Sequence, residues 1–221
     1  MNLSDNDHAV IEAVQLLGQV TAAQLTRLCF PHLSLASEGR GARRVLKRLH
    51  DAGYIDRLGE RVVGKALGGS DGYIYVPARS KASRIEPHTL DIGEFYICLT
   101  EAERAGKLKV LEYSPTEQIK GSRVRSDAYL WLEAGGRRSD WYIEIDRGTE
   151  SKDDIRLKAK AYTTAAKRYG EFPRVLYVVT FAPRGRLTER AAVIDGVARQ
   201  QEFPEQFEVC ALVDAIESLC Q

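Results

Sequence analysis

The stretch SDAYLWLEAGGRRSDWYIEID, residues 126–146, decides the fold of the C-terminal part of this chain. Two alternating runs flank Gly135-Gly136, a pair suited to a two-residue hairpin turn because both central positions of such a turn take positive φ. With those glycines as the turn, Ala134 faces Arg137, and the register runs back to set Asp127 opposite Glu144. A period of two then puts Ala128, Leu130, Leu132, Trp141, Ile143 and Ile145 on one face. That face is a core. The other carries Asp127, Tyr129, Trp131, Tyr142, Glu144 and Asp146. Three carboxylates this close repel one another unless positive charge stands among them, and directly opposed side chains lie within reach of one ion. Oxygen-only donors favour magnesium or manganese over zinc. Asp127, Glu144 and Asp146 are therefore candidate metal ligands and catalytic residues. The competing reading pairs Asp146 with Arg147 or Arg125 and needs no ion.

After this hairpin the pattern predicts a helix over 152–169 whose packing stripe is Ile155, Ala159, Tyr162, Ala166 and Tyr169. Lys158 lies one position off that stripe, on the side of Tyr162. Its ammonium can reach over the sheet, where it would stabilise developing charge or orient a water; its bland alternative is surface charge. The remaining periodicities predict a helix over 88–105, strands over 108–113, 174–181 and 207–213, and a helix over 187–200. RVLYVVTF is apolar on both faces, as in a central strand covered by helices. The expected fold of residues 88–221 is a mixed α/β sheet domain, separated from residues 1–84 by the polar segment PARSKASRIEPHTLD.

The N-terminal residues follow a different order. DHAVIEAVQLLG places Val10, Ile11, Val14 and Leu17 on one helical face, and TAAQLTRLCF opens with a capping box between Thr21 and Gln24. EGRGARRVLKRLHDAG buries Ala42, Val45, Leu46 and Leu49, presents Arg40, Arg44 and Lys47 flanked by Arg43 and Arg48, and stops at Gly53. Two short strands around GKALGGSDG complete a hairpin. Helix, helix, basic helix, hairpin is the order of a winged helix-turn-helix, whose third helix enters the major groove while the hairpin loop, here with Lys65, lies near the backbone. Arg40, Arg43, Arg44, Lys47, Arg48 and Lys65 are candidate contacts to double-stranded DNA; a solvated basic face is the alternative. Charge agrees: residues 1–84 hold 12 Lys and Arg against 8 Asp and Glu, and the remainder 20 against 23.

Four scattered cysteines without metal-type spacing suit free thiols in a reducing, cytoplasmic setting. No apolar run reaches membrane-spanning length. Four dispersed histidines argue against a histidine-bound metal, and no glycine loop after a strand offers a phosphate cradle.

The pattern Asp127 … Glu144-Ile145-Asp146, on a hairpin followed by a helix, resembles the PD-(D/E)xK nuclease superfamily and its restriction-endonuclease-like fold. More narrowly, VTAAQLTRLCFP, ARRVLKRLHDAGYIDRL, PHTLDIGEFYICL, SDAYL and IEIDRGTES resemble the replication-relaxation family of plasmids and other mobile elements. The resemblance implies a winged helix joined to a nuclease-like domain, serving replication, mobilisation or DNA relaxation, and a magnesium- or manganese-dependent endonuclease or nickase. It implies that the Asp and Glu hold the ion and that a lysine assists the attacking water. It also implies that the preceding helix borders the site, through His88 and Glu94, with Tyr162 alongside. The superfamily places its lysine two residues after the Glu, and here that residue is Asp146. Either Lys158 has taken the role, or the fold serves a non-catalytic DNA-binding accessory or transcriptional regulator. Pairing with a second copy as a homodimer is open.

Overall fold

Gly135 and Gly136 both adopt positive φ, +56° and +75°, and across them Ala134 pairs with Arg137 in the register the sequence predicts. The computed structural model describes residues 2–31, 38–63, 69–170 and 172–221, with the backbone alone at 38, 39, 60–63 and 69–71. Lys65 lies outside the described residues. The protein is mixed α/β, with a three-stranded antiparallel sheet and a five-stranded mixed sheet among those residues. It divides into two compact units, Met1–Ile97 and Cys98–Gln221.

The first unit contains α1 (Asp5–Leu17), β1 (Val20–Thr21), α2 (Ala22–Cys29), α3 (Glu38–Asp51), β2 (Ile55–Val63), β3 (Gly69–Pro77) and the first half of α4 (Pro87–Arg104). The expected capping box of α2 is present: Gln24 N–H donates to Thr21 Oγ1 at 3.1 Å, and Thr21 N–H donates to Gln24 Oε1 at 3.0 Å. Gly53, at φ +75°, ends α3. Val10, Val14, Leu25, Ala42, Leu46, Leu49 and Ile55 are fully buried in one cluster. Burying each of the valine, leucine and isoleucine side chains among them contributes on the order of 2 kcal/mol. A pairing too short to read from pattern, Val20 with Tyr75 and Thr21 with Ile74, brings β1 to the edge of the β2–β3 hairpin. The polar segment before α4 is tied down: Gln19 donates to Arg84 O at 2.9 Å and accepts from Glu86 N–H at 2.8 Å.

The second unit runs from the end of α4 through β4 (Lys109–Pro115), β5 (Ala128–Ala134), β6 (Arg137–Asp146), α5 (Lys152–Tyr169), β7 (Arg174–Val179), α6 (Leu187–Ala198) and β8 (Phe207–Ala211) to α7 (Ala215–Leu219). Sheet order is β4-β5-β6-β7-β8; the first two pairings are antiparallel, and β6–β7 and β7–β8 are parallel. Each parallel pair is joined through a helix, as parallel strands require. On one face Ile155, Ala159, Tyr162 and Ala165 of α5 and Ile194 and Val197 of α6 pack with Tyr142, Val175, Tyr177 and Val179. Ala128, Leu130, Leu132, Trp141, Ile143 and Ile145 are all buried as the alternation predicts. The last six residues of β6 are buried without alternation. The carboxylate face is covered too. No helix of the described residues is long and apolar enough to cross a membrane.

Candidate active site

β6 carries Glu144 and Asp146 into the interior, where Glu144 is 2 % and Asp146 4 % exposed. Charges this deep persist only when paired. Each has a separate cation. The Lys158 ammonium donates to Glu144 Oε2 at 2.8 Å, and the Tyr162 hydroxyl donates to Oε1 at 2.5 Å. The second donor arrives because α5 places Tyr162 one turn beyond Lys158. That helix starts at a capping box in which Ser151 Oγ accepts from Asp154 N–H at 3.2 Å. Lys158 also contacts Glu150 Oε1 at 2.8 Å, so one ammonium serves two carboxylates.

Asp146 receives Arg190 Nε on Oδ2 at 2.7 Å and Arg190 Nη2 on Oδ1, a bidentate fork, and accepts Gly148 N–H at 2.9 Å. Arg190 Nη2 further donates to Glu150 O at 3.0 Å. The cation that grips Asp146 through this fork is a residue of α6, Arg190, which the sequence reading did not offer. A signal for it existed. Leu187, Arg190, Ile194 and Val197 recur at helical spacing, so an arginine occupies a position in an apolar stripe.

Asp127 stands just before β5, beyond the last pair Ala128–Ile143 and beside Glu144, and its Oδ2 accepts Ile145 N–H at 2.7 Å. Burial drives the Glu144 pKa up to about 7; Lys158 pulls against this, and Asp127 adds to the rise. Burial lowers the Lys158 pKa, but Glu144 and Glu150 outweigh it and hold the ammonium above its ordinary value. Tyr162 is pushed well above the usual phenol range by burial and then by Glu144, so it stays a donor. Tyr177 pairs with Glu144 across β6–β7 and shares its face. Its buried hydroxyl has no hydrogen-bond partner among the described residues. No three His, Cys, Asp or Glu side chains among those residues form a ligand group for one ion. Asp127 and Glu144 are brought together with Lys158 and Tyr162, and Asp146 is held separately by Arg190. Glu150, Tyr177 and Arg190 were not read from the sequence.

His88 lies in the first turn of α4, half-buried. Glu94 of the same helix accepts Gln24 Nε2 at 3.1 Å and pairs with Arg27 of α2. On α3, Arg40, Arg43, Arg44, Lys47 and Arg48 are exposed. They are not equivalent. Lys47 pairs with Asp51 one turn along, and Arg48 reaches Asp7, whose side chain is fully buried. Burial raises the Asp7 pKa, but hydrogen bonds from Ser4 and the Arg48 charge bring it below its ordinary value.

A family profile described as Replication-relaxation matches residues 11–80 and 77–175. The chain belongs to the replication-relaxation family. Comparison with curated proteins finds no match.

Proposed function

We propose that this protein binds DNA and nicks or cleaves it during replication or mobilisation of a plasmid or other mobile element. In this reading the first unit is a winged helix that meets duplex DNA through α3, and the second unit works with magnesium or manganese. The observation that carries it is the Lys158 ammonium 2.8 Å from Glu144, with Asp127 beside that glutamate. An aspartate, a glutamate and a lysine are the three groups the nuclease resemblance asks for, and α5 supplies the lysine missing at position 146.

The donor set suits the ion. Asp127 and Glu144 offer hard oxygens only, and magnesium commonly takes one or two carboxylates and completes its shell with water and phosphate oxygens. Asp146, engaged by Arg190, is not needed. The orphaned Tyr177 hydroxyl supports the fit, because a bound water or phosphate oxygen would satisfy it. When bound, the ion supplies a more acidic water and charge neutralisation at the phosphate. Asp127 and Glu144 would hold it. Lys158, kept protonated by its two carboxylates, offers charge and N–H donors to the phosphate rather than acting as a base. Tyr162 fixes the Glu144 carboxylate by donating to Oε1, and Arg190 steadies the loop from which Glu150 reaches Lys158.

A second reading, a DNA-binding accessory or transcriptional regulator without cleavage, is favoured by the Arg190–Asp146 fork and by the engagement of both Glu144 oxygens within the protein. Supercoiled DNA incubated with the protein in manganese or magnesium separates the two. Cleavage that Glu144→Gln and Asp127→Asn both lose supports the nuclease. Tight duplex binding without cleavage, and without heat on titrating manganese, leaves the accessory factor.

A further inference from the structure

α5 has a second face, carrying Lys160, Ala161 and Thr164, next to the one that holds Lys158 and Tyr162. There it forms one wall of a groove of about 360 Å³, opposite the loop preceding β5. The floor is apolar, made by Val124, Ala161 and Ala165, and Leu157 at its edge is 66 % exposed. The rim is cationic. Lys120 on the loop and Lys160 and Arg168 on α5 are exposed, and none pairs with a carboxylate among the described residues. No described residue lining the groove is acidic. Tyr169 closes one end, with Lys120 Nζ 4.6 Å and the Arg168 guanidinium 5.5 Å from its ring centre. The loop reaches that ring only because position 121 is glycine: a Cβ there would stand 2.7 Å from the Tyr169 hydroxyl oxygen, and its φ is +74°.

We infer that this groove holds a single strand of DNA, with phosphates on Lys120, Lys160 and Arg168 and bases against the apolar floor and Tyr169. Positive charge tracking a backbone beside apolar and aromatic surface is the chemistry of single-strand binding, and a duplex does not expose its base faces to such a floor. The position also argues for a nucleic acid. Ala161 and Ala165 follow Lys158 at helical spacing, so a strand in the groove runs along the helix that carries the lysine of the candidate site. The inference deepens the DNA-processing reading and rests on it for the choice of nucleic acid over an acidic peptide.

The test is binding of a labelled single-stranded oligothymidylate to the full chain, by fluorescence anisotropy in chelator over a series of salt concentrations. The native chain is compared with Lys120→Ala/Lys160→Ala/Arg168→Ala. With about 0.7 counterions released per single-strand phosphate contact, the triple variant is expected to lose roughly 2 from the slope of log affinity on log salt, and at least about tenfold in affinity at low salt. All three side chains are exposed, so its melting temperature should match the native one. Unchanged oligonucleotide affinity and slope overturn the inference, as does a native chain that prefers a polyglutamate peptide to the oligonucleotide. Chelator keeps cleavage out of the measurement, so strand binding without any metal-dependent cutting counts against the nuclease and not against the groove.

Discussion

Lys158 and Glu144 come from different elements, fourteen positions apart in the chain, and meet at 2.8 Å with only 2 % of the glutamate side chain exposed. The contact sets how the site responds to substitution. Lys158→Met removes the cation from a buried carboxylate, and breaking such pairs commonly costs 3–5 kcal/mol. Glu144 can relieve part of that by taking a proton, so the expected loss is about 2 kcal/mol at neutral pH. Glu144→Gln keeps the shape and a Tyr162 acceptor while Lys158 retains Glu150, so it should lose less than about 1 kcal/mol. Urea unfolding of the two variants in chelator checks the order; equal losses contradict the asymmetry.

The raised Glu144 pKa gives a pH signature in the metal-free chain. Its folded value is about 7 against an ordinary 4.5, so between these values the folded state holds a proton the unfolded state has released. Stability from this group is complete below the ordinary value and is lost as pH rises through about 7. The loss is on the order of 3 kcal/mol, at about 1.4 kcal/mol per unit. Glu144→Gln should flatten that part of the curve. Parallel stability profiles of the native chain and the variant would count against the assignment.

Arg190 is expected to matter more for folding than a surface arginine. Its side chain is 13 % exposed and that of Asp146 3 %, and the pair is bidentate. Arg190→Gln strands a buried carboxylate, for an expected loss of about 3 kcal/mol. Arg190→Lys recovers one of the two hydrogen bonds and should fall between. The ranking is read from melting temperatures; an Arg190→Gln chain as stable as the native one would mean that the fork is not maintained in solution.

On α3 the basic residues should separate by readout. Arg40→Ala/Arg44→Ala is expected to weaken duplex binding and lower its salt slope by roughly 2, at about 0.9 per phosphate contact, with stability unchanged. Arg48→Ala removes a partner of buried Asp7, which keeps its Ser4 hydrogen bonds, and should cost on the order of 1 kcal/mol of stability. Anisotropy and unfolding on the same samples decide it. If the first pair leaves duplex affinity and slope intact, α3 is not the duplex reader.

The hairpin turn is a purely conformational test. Gly136 has φ +75° and nothing near its missing Cβ, so Gly136→Ala introduces strain without a clash. A left-handed non-glycine residue costs about 1–2 kcal/mol. Loss of that size in equilibrium unfolding, without change in DNA binding, is the expected result.

Most of the architecture could be read from local pattern. The glycine pair and its register, the alternation of β5 and the Thr21–Gln24 capping box are set by neighbouring residues and appear where the pattern puts them, whereas the α5 stripe holds at Ile155, Ala159 and Tyr162 but then buries Ala165 in place of Ala166. Their causes act over a few residues: φ preference, periodicity and capping. The proximity of Asp127 to Glu144 follows from the same register, since a two-residue turn leaves no freedom in which residues face one another.

Which charge meets which was decided elsewhere. Arg190 reaches Asp146 from 44 positions away, and Arg48 reaches Asp7 from 41. Those choices depend on how α6 lies on the sheet and how α3 lies on α1, which no local pattern specifies. A carboxylate on a strand attracts any cation within a few ångströms, so its partner is fixed only when packing of the apolar stripes has brought one side chain there and buried the pair together. Period-two alternation identified the carboxylate face of β6, but the closure of α5 and α6 over it turned exposed acids into a buried, compensated network.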